Sequence, residues 1–280
     1  MARLREHLPH IALGLACMLL AACASPVQRA DTLAAQAGFS GESIRGTAFW
    51  HSAYYKAGTV DSRSLHVYIE NDGTPWVARY FVAADPTPYH PLMLQLMALD
   101  RAPALYLGRP CYFQFVQEPP CSPLLWTHQR YSDVVVASMA AALRTHLATH
   151  RYTRLVFFGH SGGGTLAYLL AERFPETVAL VTLAGNLDVR AWADYHAYTP
   201  LSGSLDPALE PPLNRHVVQR YYVGSRDRNV PPDLLRRFIA NRPGAKLVEI
   251  DGYDHGCCWE TVWPKILGEL TATLPSSAKP

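Results

Sequence analysis

The sequence lacks a charged block of either sign. Its 280 residues include 25 Lys and Arg against 23 Asp and Glu, for a formal net charge of +2. Nucleic-acid-binding chains concentrate basic residues on one surface, so we expect no nucleic-acid partner. There is also no internal repeat, and no apolar run after residue 30 is long enough to cross a bilayer. Apolar residues make up 49% of the chain, which suffices for one substantial core.

Cysteine is scarce, with six residues, and one of them ends a distinctive N-terminal segment. Arg3 and Arg5 precede the short apolar run IALGLACMLLAA, a pattern typical of an export signal. Residues 20–23 (LAAC) resemble the lipobox of bacterial lipoproteins, in which the cysteine is lipidated and becomes the new N-terminus. Ala24 follows Cys23, which in Gram-negative lipoproteins resembles the choice for the outer membrane. The alternative is a plain secretory signal with a chance cysteine.

The lipoprotein interpretation divides the chain into three parts. Residues 1–22 are predicted to be a lipoprotein signal peptide, 23–43 a tether, and 44–280 the folded domain. Lipid on Cys23 would anchor the protein in the cell envelope, because two or more acyl chains hold a protein stably at a bilayer. We therefore expect a membrane partner through Cys23 and a location at the outer membrane, facing the periplasm.

The other cysteines fit an exported protein. Cys111 and Cys121 bracket CYFQFVQEPPC, which in an oxidising compartment predicts a disulfide-closed loop, and the alternative is two reduced, buried thiols. Cys257 and Cys258 are adjacent, and either a vicinal disulfide or two buried thiols is open. No nearby histidine pair completes the ligand spacing of a zinc site, so we expect no metal.

Strand-like and helix-like segments alternate along the chain. Apolar strand patterns such as LVFFGHS and TVALVTLAGN are each followed by helical or irregular segments, and Pro and Gly mark the junctions. This rhythm predicts an α/β fold with a mostly parallel central sheet and helices on both faces. The proline-rich segment 187–216 is a candidate short cap over the carboxyl edge of the sheet, where active sites of such sheets lie.

Residues 159–163 (GHSGG) lie at the junction of a predicted strand and a predicted helix. Such a turn can raise the hydroxyl of Ser161 above the sheet, with Gly159 and Gly163 relieving crowding of the backbone. The amide of Gly162 would then face a developing oxyanion. Ser161 could instead merely cap the following helix.

A serine nucleophile needs a histidine base later in the chain in this kind of sheet. Of the twelve histidines, only His196, His216 and His255 follow His160. The first two precede the strand that should deliver the acid. His255 lies in DGYDHGCCW, after the last predicted strand, and is therefore the predicted base.

The acid that orients the histidine should come from the end of another strand. Asp227 follows the predicted strand VVQRYYVGS, and Asp188 follows the strand before it. We favour Asp227 and keep Asp188 as the alternative. Asp254 adjoins His255 and is expected to point away from its ring.

These motifs resemble those of α/β-hydrolase-fold serine hydrolases, and the chain is similar to bacterial lipoproteins of that superfamily. The resemblance spans roughly residues 64–272. It rests on the G-x-S-x-G pattern, on a G-x-x-D pattern followed by V-P, and on a late histidine: Gly159, Ser161, Gly163, Gly224, Asp227, Val230, Pro231 and His255.

The second oxyanion donor departs from the family pattern. Many members carry His-Gly after the third strand, followed by a residue whose amide binds the oxyanion. Here the segment reads YIENDGTPW, with Asn71 where glycine is common. The amide of Asp72 or Gly73 is therefore the expected second donor beside Gly162, and the carboxylate of Asp72 must turn away from the oxyanion.

The resemblance implies a serine hydrolase that acts on a small-molecule acyl substrate through an acyl-enzyme. A carboxylic ester is the substrate class most common for this site, so we expect an esterase. A peptidase or thioesterase on the same triad, or an inactive binding lipoprotein that retains the fold, are the alternatives. The resemblance implies no cofactor and no metal, and we expect a monomer.

Overall fold

The computed structural model describes residues 24–60 and 63–274. The predicted signal peptide and Cys23 lie outside these residues. Within them, no helix has the length and apolar character needed to cross a membrane.

Eight strands form one sheet with the order β1-β2-β6-β3-β7-β8-β9-β10, and β4 pairs with β5 in a separate hairpin. The pairs from β6 to β10 in this order are parallel, whereas β2 runs antiparallel to both β1 and β6. The predicted mostly parallel sheet is confirmed. The strands are β1 (Ser40–Arg45), β2 (Trp50–Lys56), β3 (Ser64–Ile69), β4 (Trp76–Val77), β5 (Phe81–Val82), β6 (Ala104–Leu107), β7 (Arg154–His160), β8 (Thr177–Leu183), β9 (Val218–Gly224) and β10 (Ala245–Ile250).

Five helices form two groups beside the sheet, while α6 contacts β9 and β10. One group joins α1, α2 and α7, and the other joins α3 and α4; α2 and α4 each contact both β3 and β7. Two short 3₁₀ turns, Phe113–Phe115 and Pro123–Trp126, lie between β6 and α3. The helices are α1 (Pro26–Gln36), α2 (Leu92–Leu99), α3 (Asp133–Thr149), α4 (Gly162–Ala171), α5 (Val189–Tyr195), α6 (Pro232–Ile239) and α7 (Trp259–Thr273).

The central strands are buried along almost their whole length. Every residue of β3 is buried, and in β7 only Arg154 is partly exposed. A strand covered on both faces needs apolar side chains on both, which explains the unbroken apolar runs in the sequence. Ile69 is paired with Gly159, so the loops that follow β3 and β7 leave the sheet side by side.

The N-terminal part of the domain differs from the predicted tether over 23–43. Residues 26–36 form α1, and residues 40–45 form the edge strand β1. Ser25 caps α1, since its side chain accepts from the backbone of Gln28 while the Gln28 side chain accepts from the backbone of Ser25. Ala30 and Ala34 are buried in the main core. Residues 26–36 and 40–45 are therefore part of the folded domain.

The segment 187–216, the candidate cap, contains α5 and is otherwise irregular. Asp206 ties the middle of this segment to the start of α5, because its carboxylate accepts from the backbone amides of Val189 and Arg190. The Leu205 amide donates to the carbonyl oxygen of Tyr131, so this segment lies against the residues that precede α3.

The last helix starts earlier than the sequence suggested. From the sequence, Pro264 predicts a helix over 263–274 with the proline in its first turn, but the helix begins at Trp259 and Pro264 lies inside it. Trp259 and Trp263 are both fully buried. Their burial against the sheet outweighs the backbone hydrogen bond that Pro264 cannot donate.

Both cysteine pairs are bonded. Cys111 and Cys121 form the predicted disulfide, with their Cα atoms 5.5 Å apart, and close a loop between β6 and the second 3₁₀ turn. Cys257 and Cys258 form a vicinal disulfide immediately before α7. Cys258 is exposed, so the alternative of two buried thiols does not describe this pair.

Candidate active site

Ser161 occupies a strained turn between β7 and α4. Its backbone has φ 54° and ψ −122°, a conformation that non-glycine residues seldom adopt. Strain of this kind persists only where surrounding contacts enforce it, and it concentrates at functional sites. The Ser161 side chain makes no capping hydrogen bond to α4, which removes the alternative that it only caps this helix.

The glycines beside Ser161 are required by close backbone contacts. A Cβ on Gly159 would lie 2.2 Å from the carbonyl oxygen of Gly163. One on Gly163 would lie 2.3 Å from the carbonyl oxygen of Ile69 and 2.5 Å from that of Glu70. All three distances are far below van der Waals contact, so the turn closes only with glycine. The spacing G-x-S-x-G therefore has a direct steric cause here.

Ser161, His255 and Asp227 form a connected triad. The Nε2 atom of His255 lies 3.0 Å from Oγ of Ser161, and its Nδ1 atom lies 2.8 Å from Oδ2 of Asp227. The His255 side chain is 23% exposed, whereas that of Asp227 is completely buried. A substrate can thus reach the serine and histidine, while the acid is shielded from water.

The Asp227 carboxylate is held from both sides. Its second oxygen, Oδ1, accepts from the backbone amides of Asn229 and Val230, each at 2.8 Å. Gly224 ends β9 against the histidine loop, since a Cβ there would lie 2.2 Å from the carbonyl oxygen of Tyr253. These contacts bring the ends of β9 and β10 together and fix the acid relative to His255.

The competing acids and histidines lie elsewhere. Asp188 caps α5 by accepting from the amide of Ala191, and Asp254 accepts from the amides of Gly256 and Cys257. His196 contacts the carbonyl oxygen of Asn229, and His216 is exposed. The structure therefore brings together the three predicted residues and none of their alternatives.

His160, which precedes the serine, also supports the site. Its Nε2 atom lies 3.0 Å from the carbonyl oxygen of His255, and that oxygen also accepts from the indole of Trp259. Burial, with the neighbouring His255 charge, lowers the pKa of His160 to about 4. A neutral His160 can donate from Nε2 to the carbonyl, so it braces the histidine loop. In the sequence, only the position of His160 inside the segment 159–163 indicated that it belongs to the site.

Two backbone amides remain available to bind an oxyanion. Gly162 begins α4, and the first amides of a helix have no partner within the helix. The Gly73 amide instead donates to the side chain of Asn71 at 2.7 Å. In the described part of the chain, no acceptor takes the Asp72 amide. Of the two predicted second donors, Asp72 is the free one.

A buried charge cluster surrounds the Asp72 side chain. Its carboxylate accepts from Arg109 at 2.6 Å, from Arg130 at 2.9 Å and from the Tyr131 hydroxyl at 2.6 Å. Burial acts to raise the pKa of Asp72, but the charges of Arg109 and Arg130 and the Tyr131 hydrogen bond lower it to about 2. The carboxylate is ionised and fully paired. These partners were not predicted from the sequence, although Arg109 follows β6 at the same sheet edge.

Within residues 24–60 and 63–274, which the structure describes, no group of three or more His, Cys, Asp and Glu side chains is arranged to hold a metal ion.

Comparison with known proteins identifies structural relatives only. No family model matches the sequence, and no curated protein matches it. An esterase from Pyrococcus furiosus superposes with a TM-score of 0.58 at 12% identity, covering 85% of this chain and 92% of that one. An α/β serine hydrolase without a lid, from Xanthomonas campestris, has a TM-score of 0.55 at 10% identity, covering 86% and 97%.

A third solved structure is a puromycin hydrolase, with a TM-score of 0.55 at 18% identity. It matches 82% of this chain but only 38% of its own, so the likeness is confined to one part of the larger protein. Together with the strand order and the turn at Ser161, these likenesses confirm that the chain has the α/β-hydrolase fold.

Proposed function

We propose that the protein is a serine hydrolase that cleaves carboxylic esters through an acyl-enzyme. The observation that carries the proposal is the connected triad of Ser161, His255 and Asp227, with the serine on a strained turn. The likeness to an esterase and to a lidless serine hydrolase supports the same reaction class.

Acylation begins at Ser161. Its hydroxyl donates to Nε2 of His255, which takes the proton as Oγ attacks the acyl carbon. The carbonyl π electrons move to oxygen, and the resulting oxyanion accepts from the amides of Gly162 and Asp72. Asp227 keeps the Nδ1 proton in place and stabilises the imidazolium. The C–O bond then breaks, and His255 gives its proton to the departing alkoxide.

Deacylation repeats these steps with water as the nucleophile. His255 takes a proton from water as the water oxygen attacks the ester carbonyl of acylated Ser161. The same amides bind the second oxyanion. Collapse releases the carboxylic acid, and the proton on His255 returns to Oγ of Ser161. The reaction is balanced by one water molecule for each ester cleaved, with no other reactant.

Amide hydrolysis is the second candidate, and the likeness to puromycin hydrolase favours it. An amide uses the same triad but has a poorer leaving group, which His255 must protonate as the bond breaks. A thioester, with its better leaving group, is the third substrate class. The relative rates on ester, thioester and amide therefore identify the chemistry that this site serves.

The test compares these three bonds within one acyl series, using the full chain in detergent. Ester substrates should be cleaved fastest relative to their uncatalysed rates, and a fluorophosphonate should label Ser161 and no other residue. A protein that neither hydrolyses these substrates nor reacts with the probe would instead be a binding protein with a hydrolase fold. Faster turnover of matched amides would make it a peptidase-like enzyme.

We also propose that the protein is a lipoprotein of the cell envelope, anchored through Cys23 and facing the periplasm. Support comes from the lipobox-like residues 20–23 and from two disulfides, which persist in oxidising compartments. Since α1 begins at Pro26, lipid on Cys23 would hold the domain within roughly 10 Å of its anchor.

Metabolic labelling with a fatty acid tests this anchor. Wild-type protein should incorporate the label and sediment with membranes, whereas Cys23→Ser should do neither. Cys17→Ser is the matched control, because Cys17 lies inside the predicted signal and should not carry lipid. Unlabelled wild-type protein would show a plain secretory signal instead.

A further inference from the structure

The Asp72 side chain lies beside Gly162, whose backbone amide is one of the two available donors. A Cβ on Gly162 would lie 2.0 Å from Oδ1 of Asp72 and 2.4 Å from the hydroxyl of Tyr131. An unpaired carboxylate at this place would repel the negative charge that develops on the substrate oxygen. If this site stabilises an oxyanion, the negative charge of Asp72 must therefore be compensated by its neighbours.

Two buried arginines compensate the charge of Asp72. The side chains of Arg109 and Arg130 are only 3% and 8% exposed, and both donate to the Asp72 carboxylate. The two arginine charges outweigh the single charge of Asp72, and burial raises the pKa of Glu70, the other buried carboxyl that interacts with Arg109, to about 7. Electrostatic interactions are stronger in a buried site than in water, so this excess charge acts on the neighbouring oxyanion.

The same contacts immobilise the backbone of Asp72. Its carbonyl oxygen accepts from the Tyr112 hydroxyl at 2.9 Å, and that hydroxyl in turn accepts from Arg109 at 3.2 Å. Arg130 is itself anchored, since its Nε atom donates to the carbonyl oxygen of Thr127 at 2.7 Å. Side chain and carbonyl of Asp72 are thus both fixed, which leaves its amide in one orientation.

We propose that Arg109 and Arg130 are positioning residues of the oxyanion hole, which hold Asp72 so that its backbone amide becomes the second donor. They also reverse the sign of the charge beside Gly162. This inference rests on the proposed hydrolase function, and it replaces the His-Gly segment of the family with a buried Asp–Arg cluster. Asp72 contributes its amide, and the arginines act through it.

Substitution of Arg130 tests the proposal in the full chain in detergent. Removal of one oxyanion donor typically costs 10²–10³ in kcat, so Arg130→Met, which loosens a donor, should lower kcat by roughly ten- to a hundredfold. KM should stay within about twofold of wild type, because the interaction operates in the transition state. Arg130→Lys retains the charge and should recover most of the lost kcat.

Rates must be expressed per active site, counted by complete labelling with a fluorophosphonate. This count separates weaker catalysis from a smaller folded fraction. A trifluoromethyl ketone with the acyl group of the best substrate adds a second readout, because its adduct with Ser161 carries an oxyanion. Its affinity should fall in parallel with kcat/KM in Arg130→Met.

Arg173→Met is the matched control. Arg173 pairs with Asp133 at 2.6 Å on the surface, so the same chemical change there should leave kcat and inhibitor affinity unchanged. If Arg130→Met does not fold, Tyr131→Phe removes one donor to Asp72 and should still lower kcat several-fold at constant KM.

These outcomes distinguish a failure of the positioning role from a failure of the proposed hydrolase function. Wild-type protein that neither turns over substrate nor reacts at Ser161 would overturn both. An active wild type, with Arg130→Met and Tyr131→Phe at full kcat per labelled site, would overturn only the positioning role. Lower stability at unchanged kcat would show that the cluster is purely structural.

Discussion

Asp227 and His255 are joined by a hydrogen bond of 2.8 Å between Oδ2 and Nδ1, and the acid side chain is completely buried. This contact determines which ring nitrogen of His255 carries the proton. With the proton on Nδ1, Nε2 is the free base that faces Ser161 at 3.0 Å. The acid therefore acts through the tautomer of the histidine.

Replacing that acid should abolish most activity. Asp227→Asn leaves the shape intact but favours the wrong tautomer, and we expect kcat to fall by about 10⁴, as in serine proteases. Asp188→Asn should keep wild-type activity, and its free energy of unfolding should fall by at most about 1 kcal/mol, because Asp188 only caps α5. Steady-state kinetics on both variants test this assignment. A large loss of kcat in Asp188→Asn would contradict Asp227 as the acid.

Ser161→Ala should remove covalent labelling and leave the fold intact. The serine side chain gives no capping bond to α4, so its hydroxyl contributes little to stability. We expect a residual acceleration of roughly 10³–10⁴ over water, from the oxyanion hole and substrate binding. The melting temperature of the variant should match that of wild type. Hydrolysis by Ser161→Ala at the wild-type rate would contradict the mechanism.

The triad could be predicted because each member follows a local rule. Ser161 lies between glycines at a strand-to-helix junction, whereas Asp227 and His255 follow strands in the chain order that this sheet requires. Those rules depend on nearby sequence and on the fold class. They do not depend on the packing of distant segments.

The cluster around Asp72 could not be predicted in this way. Its partners Arg109 and Arg130 are 37 and 58 residues away in the chain, and no spacing rule connects them. They meet because β3 and β6 are neighbours in the sheet and because the residues before α3 fold back over the carboxyl edge. Such contacts follow from tertiary packing alone.

The β4–β5 hairpin and α1 were also missed, for local reasons. The β4–β5 hairpin turns at Ala78 and Arg79, which both have positive φ, without the Gly or Asn that marks such turns. Helix α1 is rich in alanine and polar residues, which hid its apolar face. Its start was nevertheless signalled by Ser25 and Gln28, a capping box around Pro26.

The Gly163 position should reject even a methyl group. A Cβ there meets the backbone oxygens of Ile69 and Glu70, which cannot move without displacing the end of β3. Gly163→Ala should therefore lower stability by roughly 1–3 kcal/mol and reduce turnover. Gly268→Ala is the matched control inside α7, where nothing lies within 4 Å of the new Cβ. That variant should gain roughly 0.5–1 kcal/mol, and equal effects of the two changes in urea unfolding would refute the steric argument.

The Cys111–Cys121 disulfide should stabilise the loop before α3. Closing a loop with a sequence separation of 10 residues contributes about 3 kcal/mol in the chain-entropy model. Replacing both cysteines by alanine should lower the free energy of unfolding by about that amount. Mass spectrometry of non-reduced peptides checks the bond itself, and two free thiols in protein isolated from the periplasm would contradict it.

The last prediction concerns acid, and it rests on buried neutral histidines, above all His51, which is remote from the triad. His51 is fully buried between the carbonyl oxygen of Gly108 at 3.0 Å and the hydroxyl of Ser138 at 2.9 Å. Burial lowers the pKa of His51 to about 4, against the opposing effect of its Gly108 hydrogen bond. His146 and His160 have pKa values lowered in the same direction by burial.

The unfolded chain therefore binds more protons than the native one between about pH 6.5 and pH 4, so stability falls as the pH is lowered through this window. His51 alone should account for roughly 3 kcal/mol of that loss, at 1.36 kcal/mol per pH unit. His51→Gln should reduce the slope of the unfolding free energy against pH by about 1.36 kcal/mol per pH unit, which corresponds to one proton. This change in slope does not depend on the stability of the variant at neutral pH. His216→Gln changes an exposed histidine and should keep the wild-type slope. Urea unfolding at several pH values measures both, and an unchanged slope in His51→Gln would show that His51 is protonated as readily in the folded protein as in the unfolded chain.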